Sequence, residues 1–321
     1  MNLRNKFFCS STSFHTFNAD RSEGEFRLNI IQKLIWFFLN VLNNNLPPKY
    51  FENKKKINNL RIKSFAREIK EKEWDKISYF STPSRIFCDL FWMKLNWQNI
   101  KSEVGPINIF DTGCGDGNYA IKLNDYSGGI NSYLGIDAII DENWKDLKTF
   151  KFIKLKQLKS TNFIKEIPKN TNFFMTQSAI EHFENDLDYF RQIKEYIVSS
   201  NSTIIQVHLF PTPPSLWLYF HHGVRQYNMR SVMQIIKMFN NKNSYAVLYP
   251  LGGKNSFYYH LNKVTIPEYI LKRKPNPREM NTNNYFLGAK QVISNDLSKN
   301  SWNFASFCAL IIHSNYKKKI F

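Results

Sequence analysis

From Ile107 onward the chain alternates short apolar runs with helix-patterned stretches, and this alternation restricts the fold more than any other feature of its 321 residues. The runs are "INIF" (107–110), "SYLGI" (132–136), "FKFIKL" (150–155), "NFFMT" (172–176), "TIIQVHLF" (203–210), "YAVLY" (245–249) and "FASFCALIIHS" (304–314). Runs this short, bounded by polar residues, suit strands buried on both faces. Between them, "ENDLDYFRQIKEYIVSS" (184–200) and "RSVMQIIKMF" (230–239) carry apolar residues at helical spacing. Strand, helix, strand repeated in this way needs crossover connections. The expected class is therefore α/β, doubly wound, with a mainly parallel sheet of seven strands covered by helices on both faces.

Residues 1–104 are patterned differently. Ile57, Leu60, Ile62, Phe65, Ile69 and Trp74 recur at roughly helical spacing among charges, and "SRIFCDLFWMKLNWQNI" (84–100) repeats the pattern. The expected organisation is a helical N-terminal extension or lid over 1–104 and one domain over 105–321, with an insertion near 251–300. The most apolar stretch, "IIQKLIWFFLNVL" (30–42), is 13 residues long with Gln32 and Lys33 inside it, too short to span a bilayer. It reads as a core or lid helix, with an interfacial helix as the alternative.

Hydrophobic content of 43% with 16% aromatics is that of a chain able to bury a core. The formal charge of +18 raises nucleic acid or an anionic membrane surface as partners. The lysines are nevertheless spread along the whole chain, and the densest clusters, "NKKKINNLRIK" (53–63) and "NYKKKIF" (315–321), read first as solvated faces. Cys9, Cys88, Cys114 and Cys308 are scattered without CxxC or Cys/His ligand spacing. No metal site or disulfide framework is expected, which fits a reducing, cytoplasmic setting. The N-terminus lacks the compact basic, apolar and small-residue segments of a signal peptide.

The first strand runs straight into "DTGCGDG" (111–117), at the place where doubly wound sheets cradle a ligand. Gly113, Gly115 and Gly117 permit positive φ and close approach of a ligand to the backbone. A dinucleotide turn reads GxGxxG; here the spacing is GxGxG, and residue 118 is Asn. Asp111 and Asp116 would repel a pyrophosphate but attract the ammonium and sulfonium of S-adenosyl-L-methionine. At the end of the second strand, twenty residues past Gly117, Asp137 can accept both hydroxyls of a ribose.

With this loop, with Asp137 ending "YLGID", and with "SAIEHFEND" (178–186) after the fourth strand, the sequence resembles the class I S-adenosylmethionine-dependent methyltransferases. The resemblance covers about residues 105–250 and the last strand, and implies a Rossmann-like sheet with S-adenosyl-L-methionine as cofactor. It places Asp111 and Gly113 at the methionine end, Gly115 and Gly117 along its flank and Asp137 at the ribose, with Glu181 holding the cofactor or capping a helix. One departure stands out: many members carry an acidic residue after the third strand that meets the adenine amino group. Here "FIKLKQLKSTNF" (152–163) offers only Gln157, Ser160, Thr161 and Asn162.

Methyl transfer to a hydroxyl would benefit from a general base, and histidine is the natural candidate. His182 follows the fourth strand, His208 lies near the end of the fifth, and His221 and His222 open "HHGVRQY". His182 and His222 rank first, then His208; each also has a plain structural reading. Arg225 reads as an anchor for an anionic acceptor or as a partner of nearby carbonyls and acids. The aromatics of "FPTPPSLWLYFHH" (210–222) suit stacking on a sugar or hydrophobic acceptor, or a helix core. The function expected is methyl transfer to a hydroxyl oxygen of a small molecule or glycan. The alternatives are a nucleic-acid methyltransferase using the basic surface, a non-catalytic scaffold or membrane-surface partner that keeps the fold and, least favoured, a nicotinamide enzyme.

Overall fold

The computed structural model describes residues 9, 11, 13–15, 29–45, 60–65, 67–219 and 225–321. Eight strands form one sheet: β1 Leu60–Ile62, β2 Asn108–Thr112, β3 Ser132–Asp137, β4 Ile153–Gln157, β5 Phe173–Gln177, β6 Ile204–Pro211, β7 Ser244–Leu251 and β8 Phe307–Ser314. Their order is β1-β7-β8-β6-β5-β2-β3-β4. Strand β8 runs antiparallel to β6 and β7, and every other pairing is parallel.

All seven runs picked out by pattern are strands, but the sheet has an eighth. Leu60 to Ile62 pair in parallel with Ala246 to Leu248 at the edge beside β7. The residues had been assigned a helical period, yet Leu60 and Ile62 are two apart, the spacing of a strand face. Three residues are too few for periodicity to decide, so pairing with β7 decides instead.

The alternation within strands divides the core into two layers. Ile109, Phe173, Met175, Ile205 and Val207 point to one layer, while Phe110, Phe174, Ile204 and Phe210 point to the other. The first layer is covered by α2 (Pro83–Lys94), α3 (Trp97–Val104), α4 (Tyr119–Ser127) and α7 (Thr282–Asp296); the second by α5 (Asp186–Ser200) and α6 (Met229–Met238). Helix α1 (Ile30–Asn45) lies apart and packs Trp36 against Leu216.

Local chemistry sets the helix starts. Pro83 occupies the first turn of α2, where its missing N–H is no loss, and Thr82 Oγ1 accepts from Arg85 N. Asn228 caps α6 by accepting from Arg230 N and Ser231 N. Helices α2 and α3 contribute Trp92 and Ile100 to the same cluster as the sheet residues Ile109 and Phe173.

The strand order also fixes where a ligand can lie. From β2 the chain winds outward through β3 and β4, then crosses back to β5 and β6 on the other side of β2. The loops after β2 and β5 therefore diverge, opening a crevice at their carboxyl ends.

Candidate functional site

The loop after β2 enters this crevice. Gly113, Gly115 and Gly117 have φ of 77°, 53° and 77°, a region costly for residues with a Cβ. They differ in surroundings. A Cβ on Gly113 would lie 2.5 Å from Ala179 Cβ, and one on Gly117 would lie 2.7 Å from Leu147 Cδ1. A Cβ on Gly115 would meet nothing within 4 Å. Two glycines thus let the loop pack against the turns at 179–183 and 144–147, and Gly115 alone turns its bare face to open space.

The loop is stitched to the end of β3. Gly113 N and Cys114 N donate to Ile136 O at 2.7 and 3.1 Å, Gly115 N donates to Asp137 Oδ2 at 2.9 Å, and Trp144 Nε1 donates to Gly115 O at 2.8 Å. Asp137 Oδ1 accepts from Ile139 N at 3.0 Å. The half-buried Asp137 carboxylate thus holds two backbone donors and keeps lone pairs for a ligand. Asp137→Ala is expected to lower stability by about 1 to 2 kcal/mol in urea unfolding, because both donors lose their acceptor.

Asp111 is buried on β2, level with Gly135 on β3 and Met175 on β5. Its Oδ2 accepts from Tyr133 Oη at 2.5 Å, while its Oδ1 is buried with no hydrogen-bond partner. Burial pushes the carboxyl up to about 7; the Tyr133 hydrogen bond opposes the rise and the Asp137 charge adds to it. Glu181 stands in the turn Ile180–His182 after β5, also buried, with Oε2 lacking a partner. Burial raises its carboxyl to about 8 against the pull of Arg225 and Arg85. Two buried acids at the crevice therefore each have an oxygen without a donor among the described residues. A buried carboxylate is costly until a donor or cation meets it.

Asp116 behaves differently from Asp111. It is exposed, and it accepts from Asn118 N at 3.0 Å and Asn118 Nδ2 at 2.7 Å. Asp116 organises the turn that leads into α4.

Arg225 resolves to the second of its two readings. It is buried, and its Nε donates to Glu181 O at 3.0 Å while its Nη2 donates to Phe183 O. Its Nη1 donates to Ser13 Oγ at 3.2 Å. The guanidinium holds the turn that carries Glu181, and is not open to an acceptor.

The three candidate histidines separate. His182 is exposed in the turn after β5, beside Glu181. His222 lies outside the described residues. His208 is a correction: it is fully buried on β6, with Nδ1 3.1 Å from Thr176 Oγ1 and its ring edge-on to Tyr189 and Phe190. Burial lowers it to about 3, so it stays neutral. Its place in an all-buried strand directs it into the second core layer.

Sequence reasoning missed several residues that hold the site. Tyr133 fills the space over Gly135, where a Cβ would lie 2.9 Å from its ring, and from there reaches Asp111. The signal was Gly135 inside a strand, which marks a close approach. Trp92 Nε1 donates to Gln177 Oε1 at 2.7 Å, and Gln177 Nε2 donates to Ser178 Oγ at 2.9 Å. This chain ties α2 to Ser178, a non-glycine residue with φ of 52° at the end of β5. No local pattern announces it. Gln157, by contrast, is among the polar residues named from the sequence after the third strand; it donates through Nε2 to Ala138 O at 3.0 Å, bridging the ends of β3 and β4.

Beyond β6, a cavity of about 440 Å³ is lined by Pro213, Pro214, Trp217, Phe257, Trp302 and Phe304, with Asn44, Asn45 and Asn303 among its polar groups. Among the described residues, none that lines it is charged.

No protein-family model and no curated protein matches the chain. Solved structures similar to it include the plantazolicin methyltransferase BamL, in complex with a triazolic desmethylPZN analog and SAH, at 12% identity over 75% of this chain and 88% of that one, TM-score 0.45. A SAM dependent methyltransferase from Archaeoglobus fulgidus is 15% identical over 74% of this chain and 96% of that one, TM-score 0.41. An S-adenosylmethionine dependent methyltransferase from Mesorhizobium loti is 12% identical over 68% and 95%, TM-score 0.39. For this chain, the doubly wound α/β arrangement stands on its own strand order.

Proposed function

We propose that this chain is an S-adenosyl-L-methionine-dependent methyltransferase that transfers a methyl group to a hydroxyl oxygen of a small-molecule or glycan acceptor. The observation that carries this reading is the pair Asp111 and Glu181, buried at the crevice with one unpartnered oxygen each. A cation-bearing ligand relieves that arrangement, and a pyrophosphate would worsen it. The residues fit such a cofactor: Asp111 and Glu181 toward its ammonium, the bare face of Gly115 along its length, and Asp137 toward its ribose hydroxyls.

When bound, the cofactor supplies a methyl group on a positively charged sulfur, open to in-line displacement. The chain's part is to bind, orient and move a proton. Arg225 fixes the 181–183 turn, and with it Glu181 and His182. His182 is assigned as the base that takes the hydroxyl proton, a role worth about a hundred- to ten-thousand-fold in rate. The aromatic cavity beyond β6 is assigned to the acceptor, with the C-terminal end of α1, through Asn44 and Asn45, and Phe257 forming part of its wall. That its described lining residues carry no charge favours a neutral acceptor over a nucleic-acid backbone, which a cationic groove would track.

The test is a calorimetric and thermal-shift titration with S-adenosylmethionine, S-adenosylhomocysteine and NAD. Either adenosyl ligand at 100 times its dissociation constant should stabilise the protein by about 2.7 kcal/mol, and NAD should not. No shift with either adenosyl ligand, from folded protein, overturns the reading.

The titration should also depend on pH. Asp111 and Glu181 sit above the ordinary carboxylate range in the free protein, at about 7 and about 8. Their stabilising effect is fully present below the unfolded value near 4 and is lost as pH rises through 7 and 8. The free protein should therefore lose stability over that range. An ammonium requires the ionised forms, so affinity should rise by up to about tenfold per pH unit for each proton released, from pH 6 toward 7.5. The rise should end near pH 8, where an α-ammonium itself titrates.

A further inference from the structure

Helix α1 is anchored by one face and leaves the other uncovered. Trp36 and Asn40 are buried, Trp36 against Leu216. Its C-terminal end is pinned by Asn44 Nδ2 donating to Gln226 Oε1 at 3.3 Å and by Arg230 Nη2 donating to Asn43 O at 2.8 Å. On the opposite side, Ile30, Ile31, Leu34, Ile35, Phe38 and Leu42 are 48 to 72% exposed. At 100° per residue these six cover an arc of about 140°, over a length of about 18 Å. Single exposed apolar side chains are ordinary, but a continuous stripe of six marks an interaction surface.

The charge around this stripe selects the partner. Helix α1 contains no acidic residue, and its one charged residue is Lys33. From residue 26 to residue 63 the sequence has eight basic residues, Arg27, Lys33, Lys49, Lys54, Lys55, Lys56, Arg61 and Lys63, against the single acid Glu52. We infer that the outward face of α1 docks on an anionic lipid bilayer. The helix lies in the plane of the interface with its apolar stripe among the acyl chains, and the positive charge of the surrounding sequence favours an anionic surface over a neutral one. Among the described residues no helix is long and apolar enough to cross a membrane, so α1 rests on the surface. A second copy of the chain fits less well, because a two-fold contact would oppose two segments of the same positive sign.

This surface is independent of the cofactor site, and its test uses the full chain without cofactor. Co-sedimentation is measured with phosphatidylcholine vesicles and with vesicles of equal parts phosphatidylcholine and phosphatidylglycerol, at low and high salt. The wild type should pellet with the anionic vesicles, less at high salt. The double variant Leu34→Asp/Phe38→Asp should bind them at least about tenfold more weakly, with its urea midpoint unchanged. Val198→Asp, at an apolar position 72% exposed on α5, should bind as the wild type does. Failure of the wild type to bind either vesicle overturns the inference, as does binding that the double variant leaves intact. A wild-type dimer in light scattering that the double variant dissolves, without vesicle binding, overturns it in favour of a second copy.

Discussion

Asp111→Asn is expected to weaken S-adenosylmethionine binding by about 100-fold while leaving the protein folded, and above pH 7 no less stable than the wild type. The amide oxygen can still accept from Tyr133, which donates to Asp111 Oδ2 at 2.5 Å. The substitution removes a charge that burial already disfavours, having raised the carboxyl to about 7. Removing one partner of a buried hydrogen-bonded charge pair costs 2 to 5 kcal/mol, roughly 30- to several-thousand-fold in affinity. Titration calorimetry at pH 7.5 reads the binding, and urea unfolding at pH 8.5 reads the stability. Glu181→Gln should act in the same direction. Unchanged affinity in Asp111→Asn would remove the cation from the proposed function.

Gly113→Ala should instead destabilise the folded protein. An alanine at φ of 77° costs about 1 to 2 kcal/mol, and its methyl would stand 2.5 Å from Ala179 Cβ, which has no rotamer to yield. The turn it would push against carries Glu181 and is held by Arg225. A loss of about 3 kcal/mol or more follows, read as a melting temperature lower by about 5 °C or more. Gly115→Ala makes the instructive contrast. Its φ of 53° carries a similar backbone cost, but its methyl meets nothing within 4 Å. It should stay folded with about 1 kcal/mol lost, yet bind S-adenosylmethionine poorly, because the methyl enters the space assigned to the cofactor. Equal effects of the two substitutions on stability, or intact binding in Gly115→Ala, would contradict the division of labour among the glycines.

Much of this architecture was legible in the chain because its causes are local. Strands buried on both faces, such as β2, β5, β6 and β8, are rich in apolar residues, and the edge strand β4 keeps the apolar alternation of one face, so the seven runs from "INIF" to "FASFCALIIHS" stood out, and each holds a strand of the sheet. Glycines that take positive φ immediately after a strand mark a turn wherever they occur, so the loop at 113–117 was placed correctly. Leu60–Ile62 was missed because three residues carry too little pattern.

The site was legible only in its residue types. That an aspartate follows β2 is written in the sequence; that Asp111 is buried beneath Tyr133 while Asp116 is exposed and engaged with Asn118 is not. His208 and His182 look alike in one dimension, each near the end of a strand. They part company because His208 projects into the layer packed by α5, whereas His182 sits in the turn above it. By itself the sequence determined the class of fold, the glycine loop and the list of acids and histidines available for chemistry. The tertiary structure decided which of those acids are buried without a partner, which histidine reaches solvent, and which face of α1 is left uncovered. The physical reason is that backbone preference is set by a residue and its near neighbours. Burial and charge state are set by side chains that arrive from strands and helices far away in sequence.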